Sequence, residues 1–199
     1  VGEYVYMMGG QGWDGLSTFP VYSNVIFSHI NPTTGQLSAW TSTASLPSPR
    51  YWAAAAVLSD TIYILGGRDD NFNNANTVYY ARPNSDGTIT HWQTATQQLP
   101  SPVYGHMAAS YNAYLYSMGG SFADGFKNYV NRAVVDGDGN ITTAWVTETY
   151  ALPNSLYGAA GLNVNGLLLA IGGQQPGGVT SPYVAANLIK DDGTLEFEN

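Results

Sequence analysis

Four glycine pairs, Gly9-Gly10, Gly66-Gly67, Gly119-Gly120 and Gly172-Gly173, recur along this chain at intervals of 57, 53 and 53 residues, each closing a short run rich in apolar and tyrosine residues. No other feature constrains the fold as strongly, because so regular a spacing requires one structural unit, repeated. Two further markers keep the same phase. Leu46-Pro47, Leu99-Pro100 and Leu152-Pro153 stand 53 residues apart, and Trp40, Trp92 and Trp145 stand 52 and 53 apart. A period of about 50 residues holding several short strands with a fixed glycine and tryptophan is the pattern of a propeller blade.

Aligned on the glycine pairs, the second repeat reads as strands over 51–58, 61–67, 77–81 and 88–94. The third reads as 106–111, 113–120, 130–135 and 140–147, and the fourth as 159–164, 167–173, 184–189 and 194–197. Residues 53–56 look helix-like, but they fall where the other repeats carry strand residues. Between the third and fourth strands stand Gly35 after Thr34, Asp86-Gly87, Asp138-Gly139 and Asp192-Gly193. Asp-Gly is a hairpin signal, because a type I′ turn needs positive φ at both central residues. The expectation is therefore an all-β chain of four-stranded antiparallel blades, a single partial propeller over 1–199 with repeats at about 1–47, 48–100, 101–153 and 154–199. Its first repeat begins at a second strand and so lacks the inner one. The three tryptophans are expected to be buried alike on the outer strands.

Composition removes several functions. The 199 residues are 44% hydrophobic and 10% charged, enough apolar surface for a core. Net charge is −8 with only 6 Lys and Arg, which leaves no basic stripe for phosphates and makes nucleic acid a poor partner. No apolar run approaches the roughly 18 residues of a membrane span, so no membrane insertion is expected. The absence of cysteine removes disulfides, thiolate nucleophiles and Cys-ligated zinc. A low-charge sequence rich in Asn, Thr, Ser and Tyr points to an extracellular or cell-surface location.

The order of hydrophobic strand, Gly-Gly, loop, strand ending near Tyr79-Tyr80, Asp-Gly turn, Trp92 and Leu99-Pro100-Ser101-Pro102 resembles the kelch repeat, and the likeness covers essentially the whole chain. Two departures stand out: an enlarged loop over 11–24, and Glu196-Phe197-Glu198-Asn199 where a fourth tryptophan is due. The resemblance implies a β-propeller whose first strands line the axis. It also implies about four blades of a larger ring, with the remaining propeller blades or another subunit as a partner.

Alternate connections between antiparallel strands fall on opposite faces, so the loops after each Gly-Gly and those leading into each first strand share one face. That face collects the candidate ligand-binding residues Trp13, Arg50, Tyr51, Arg68, Asp69, Asp70, Tyr104, His106, Asp124 and Tyr157, and beside them Trp52, Phe72, Phe122 and Lys127. Aromatic faces for stacking, with Arg and Asp for directional bonds, suit a glycan or protein ligand. Tyr51, Tyr104 and Tyr157 recur every 53 residues, so packing is their simplest role. Arg50 and Arg68 do not recur, being matched by Val103 and Leu156 and by Ser121 and Gln174, which makes them sharper candidates.

Asp136-Gly137-Asp138-Gly139-Asn140 begins like a calcium loop but lacks the later glycine and carboxylate, and it aligns with the other hairpin turns. His29, His91 and His106 have no metal-ligand spacing. No metal and no cofactor are expected. The leading function is a non-catalytic extracellular or surface module, binding or scaffolding through the Gly-Gly face. A carbohydrate-active enzyme of mutarotase or lyase type, drawing acids and bases from Arg50, Arg68, Asp69, Asp70, His106 and Asp124, stays open beside it. So does a structural subunit of a surface layer or filament, since fold alone does not choose function.

Overall fold

The computed structural model describes residues 1–196. The first sheet holds β1 (Tyr4–Met8), β2 (Val25–His29) and β3 (Thr41–Thr43) in that order. The second holds β4 (Ala54–Leu58), β5 (Thr61–Leu65), β6 (Val78–Ala81) and β7 (Gln93–Thr94). In the third repeat β8 (Met107–Tyr111) and β9 (Tyr114–Met118) are followed by a small extra hairpin, β10 (Ser121–Phe122) and β11 (Gly125–Phe126). Its sheet is completed by β12 (Val130–Val134) and β13 (Val146–Thr147). The last sheet runs β14 (Ala160–Val164), β15 (Leu167–Ile171), β16 (Val184–Ile189) and β17 (Leu195–Glu196). All pairings are antiparallel, and no helix occurs among the described residues. The inner strands β4, β8 and β14 lie side by side, so the four sheets are blades around one axis.

The core is divided among the three seams between blades. Alternation along a strand sends successive side chains to opposite faces. Accordingly Ile62 and Ile64 of β5 join Val25, Leu46 and Trp92 in the first seam, while Tyr63 and Leu65 join Leu115, Ala133 and Trp145 in the second. Tyr116 and Met118 of β9 fill the third, with Leu156 and Leu168. A strand covered on both faces has no solvent side, which is why all of β5 is buried and why its sequence Thr-Ile-Tyr-Ile-Leu shows no polar alternation.

Hydrogen bonds tie each blade to the next. Tyr6, Tyr63 and Tyr116 donate their hydroxyls across the seams to the carbonyls of Gly87, Gly139 and Gly193, each at 2.7 Å. At the other end of the seam, Gly10, Gly67 and Gly120 donate N–H groups to the carbonyls of Arg50, Val103 and Leu156 at 2.7, 2.9 and 2.7 Å. In these three pairs the preceding glycine is forced by that approach: a Cβ on Gly66 would stand 2.6 Å from the Val103 carbonyl oxygen, and both glycines have positive φ. The strands therefore end at Leu65, before the glycines that the sequence reading had included.

Three other expectations are corrected. The Asp-Gly turns are not type I′, because Gly87, Gly139 and Gly193 have positive φ and Asp86, Asp138 and Asp192 do not. The fourth strands are much shorter than the spans 88–94 and 140–147. At residue 89 the backbone turns to the preceding blade: the Ile89 N–H donates to Thr43 Oγ1 at 2.6 Å, and that hydroxyl donates to the Ile89 carbonyl at 3.0 Å. The three tryptophans also differ. Trp92 and Trp145 are 9% and 8% exposed and donate their indole N–H groups to Ala44 and Gln97 of the blade before, at 2.9 and 3.3 Å. Trp40, in the first blade, has no preceding blade among the described residues and is 42% exposed. The expected strand end at Phe197 lies outside the described residues.

Trp92→Ala removes a seam side chain and should cost about 3–5 kcal/mol, whereas Trp40→Ala should stay under about 1 kcal/mol. Equilibrium denaturation of the two variants side by side checks this, and equal costs would refute the seam assignment.

Candidate functional site

One local device, repeated, builds the Gly-Gly face. In the second, third and fourth repeats the residue after the glycine pair bridges to the tyrosine that leads into the inner strand: Arg68 to Tyr51, Ser121 to Tyr104 and Gln174 to Tyr157. Two backbone bonds make each bridge, as in Tyr51 N–H to Arg68 carbonyl at 3.0 Å and the reverse at 2.8 Å. The position after the tyrosine is Trp52, Gly105 and Gly158, with φ of +54°, +60° and +63°. Gly105 donates to the Trp52 carbonyl and Gly158 to the Gly105 carbonyl, both at 2.8 Å, so a chain of backbone bonds runs round the inner rim.

Aromatic rings close over this rim. The Tyr157 ring lies so tightly on Gly105 that no side chain could fit there. It stacks on Trp52 at 4.6 Å between centroids and on Phe126 at 5.1 Å with an interplanar angle of 8°. Tyr104 meets it edge-on at 5.5 Å. Burial among these rings, with the neighbouring Tyr104 hydroxyl, pushes the Tyr157 phenol well above the ordinary tyrosine range. The Arg68 guanidinium carbon sits 4.2 Å from the Tyr104 ring centroid, and its Nε donates to Asn74 Oδ1 at 3.0 Å. Neither Nη atom has a partner among the described residues, so a flat guanidinium edge is presented beside the stack. Next to it a groove of about 540 Å³ runs between Phe72, Asn74 and Pro102 on one side and Phe122 and Asp124 on the other.

Several sequence candidates fall outside this arrangement. Arg50 is 6% exposed in the first seam. Its Nη1 donates to Ser48 Oγ and the Pro49 carbonyl at 2.9 and 2.8 Å, and its Nη2 to Thr77 Oγ1 and the Tyr79 hydroxyl, both at 3.0 Å. Such a buried cation, with its Nη atoms held by neutral oxygens, its Nε without a partner among the described residues and its guanidinium carbon 5.2 Å from the Tyr79 ring centroid, is a packing residue. His106 is buried as well, wedged in the second seam against Gly66 and under Gly120. Burial pushes its pKa down to about 3, so the ring stays neutral. Tyr51 is buried, with its ring edge-on to Phe72.

The acids on this face serve the loops. Asp69 accepts the N–H groups of Asn71 and Asn73 at 2.9 and 2.8 Å. Slight burial pushes its carboxyl up, but those bonds outweigh it and hold the group below the usual range. Asp70 accepts from Asn71 Nδ2 at 3.2 Å, and Asp124 pairs with Lys127 at 2.8 Å. Trp13 is 65% exposed on the enlarged loop and joins no ring contact among the described residues. The structure thus brings together Arg68, Tyr104 and Tyr157 of the candidates, with Asp124 on the adjoining groove. The sequence reading missed Phe126, which comes from the extra hairpin, and left Trp52 among the face's bystanders. The available signal for Trp52 was its place in the alignment, where the other repeats have glycine.

Comparison with known proteins agrees with this architecture. Residues 1–188 match the family described as the KLHDC2/KLHL20/DRC7 kelch-repeats domain. The chain belongs to the kelch-repeat family. Kelch-like protein terF of Aspergillus terreus is 29% identical over 121 residues, covering 60% of this chain and 25% of that protein. Kelch-like protein 40b of Danio rerio is 28% identical over 120 residues, covering 58% and 18%. The matched stretch is thus a quarter or less of either relative's length. The solved structure of YjhT superposes with a TM-score of 0.73 at 16% identity over 98% of this chain and 66% of that one, a likeness of fold. The kelch fold is a β-propeller, and kelch domains in general are scaffolds for protein–protein interaction.

Arg50→Ala should destabilise the fold by about 2–4 kcal/mol through loss of a charged hydrogen-bond set, while leaving any ligand affinity of the folded protein unchanged. A denaturation series gives the first quantity and titration of the folded variant the second. His106 yields a pH signature. The unfolded chain takes up its proton near pH 6.5 and the folded chain only near 3, so stability is full above 6.5 and falls by about 1.4 kcal/mol per pH unit below it. His106→Leu should flatten the slope between pH 6.5 and 5; an unchanged slope would contradict the burial of a neutral ring.

Proposed function

We propose that this kelch domain is a non-catalytic recognition module that takes an extended segment of a partner protein on its Gly-Gly face. The observation that carries the reading is Arg68. In a chain of net charge −8, it is the described cation on this face that is neither buried like Arg50 nor ion-paired like Lys127. A planar guanidinium held over the Tyr104 ring with both Nη atoms open suits a carboxylate of the partner, and fixing it in advance reduces the entropy lost on binding. The groove beside it offers apolar walls to a neighbouring side chain.

The alternative of a sugar mutarotase or lyase has less support, because its acids and bases do not converge. His106 is buried and neutral, Asp69 is committed to its turn, and Asp124 to Lys127. Exposed surface at the outer blades, with Trp40 at one end and Ile171 and Val184 at the other, fits further blades or another subunit as a packing partner.

Selection of a random peptide display library on the protein should yield sequences containing Asp, Glu or a free carboxyl terminus. Arg68→Ala should weaken those peptides by about 10- to 100-fold, or about 1.5–3 kcal/mol, and Arg82→Ala on the opposite face should not. Peptides indifferent to Arg68→Ala, or a glycan array that yields binders where the peptide library yields none, would overturn the reading.

A further inference from the structure

Trp52 occupies a backbone position that a tryptophan should avoid. Its φ of +54° lies in the left-handed region, which glycine enters freely, asparagine and aspartate enter at times, and other residues enter rarely, a bulky one with strain. The repeat itself supplies the control, because Gly105 and Gly158 hold the equivalent positions at +60° and +63° and make the same rim of backbone bonds. Glycine would therefore serve the fold here, and tryptophan adds nothing to the rim. Nor does the indole fill a seam: it is 48% exposed, with one face on Tyr157.

The strained backbone aims that ring. Phe126, Tyr157 and Trp52 form a run of near-parallel rings, with interplanar angles of 8° and 24°; Trp52, tilted against Tyr104 at 6.2 Å and 48% exposed, carries no further stacked ring among the described residues. A further ring continuing the stack is the addition this geometry favours, because offset aromatic stacking adds to simple area burial. We propose that Trp52 is the specificity-determining residue of the Gly-Gly face and that it receives an aromatic side chain of the bound partner as the next layer of this stack. The inference rests on the Gly-Gly face being the binding face, but it invokes no charge and is independent of Arg68.

The test uses the protein labelled with 5-fluorotryptophan, with the Trp52 line in the ¹⁹F spectrum assigned by Trp52→Phe. Neutral N-acetyl-tryptophanamide should move the Trp52 line and leave those of Trp92 and Trp145 in place, whereas N-acetyl-leucinamide should move none. A Trp52 line that stays still, or that moves equally with both amides, overturns the proposal. Strain is read separately from two truncations. At an ordinary strand position alanine is the more stable; here Trp52→Gly should melt about 2–4 °C above Trp52→Ala. Equal melting points or the reverse order would also overturn it. Because the amides carry no carboxylate, a selective Trp52 response supports the proposal even where Arg68→Ala leaves peptide affinity unchanged, and its absence overturns the proposal even where that variant abolishes binding.

Discussion

The contact on which the rest depends is a backbone one: the second glycine of each of the first three pairs donating its N–H across the seam to the carbonyl of Arg50, Val103 or Leu156. Such a bond fixes how closely neighbouring blades approach, and the absent Cβ of the first glycine is what permits the approach. With that distance set, the tyrosine hydroxyls of β1, β5 and β9 reach the turn glycines at the far end of the seam, and the indoles of Trp92 and Trp145 reach the linker behind them. The seam is thereby pinned at both ends and filled with apolar side chains between.

The same bond explains why Arg50 is misleading in the sequence. The carbonyl performs the repeated task, so the side chain at that position can be Arg, Val or Leu without breaking the repeat. Departure from periodicity at such a site reflects freedom, and it points to a ligand only where the backbone has a demand that the departing residue fails to meet. Trp52 meets that stricter condition and Arg50 does not. His106 teaches a related lesson. Its burial is decided by Gly66 in the neighbouring blade, so nothing within its own repeat, where the equivalents are Ala53 and Ala159, foretells that the ring is enclosed.

Most of the fold was legible because each marker has a single physical purpose. Glycine pairs, Asp-Gly turns and the tyrosines after Leu-Pro each recur where a backbone geometry recurs. Trp40 shows the limit: it carries the marker but lies in the first of the described blades, with no blade before it among the described residues, and is exposed. The site was legible in part. Arg68, Tyr104 and Tyr157 could be placed on one face from strand order alone. Phe126 could not, since the loops after the glycine pairs differ in sequence from repeat to repeat, the β10–β11 hairpin that delivers it is built from the loop of the third repeat, and its stack on Tyr157 joins two different blades.

A net charge of −8 also gives a poor picture of the Gly-Gly face until the carboxylates are traced to their tasks. Asp69, Asp86, Asp136 and Asp192 each accept backbone N–H groups within a turn, and the carboxyl of each is held below its usual range. Asp14 does the same for the enlarged loop, accepting the N–H groups of Leu16, Ser17 and Thr18 and the Thr18 hydroxyl, the strongest influence in holding its carboxyl near 2. These groups are charged above the ordinary carboxylate range and lose their turn bonds only as pH falls below it, so at neutral pH the loops are held fast. On the Gly-Gly face Asp69 and Asp14 use charge in this way, which stiffens its loops without making it a sink for cations, while Asp86, Asp136 and Asp192 do so at the far end of the seams. That leaves Arg68, backed by a tyrosine and braced by Asn74, as the open charge next to the aromatic stack, on a surface ordered before any partner arrives.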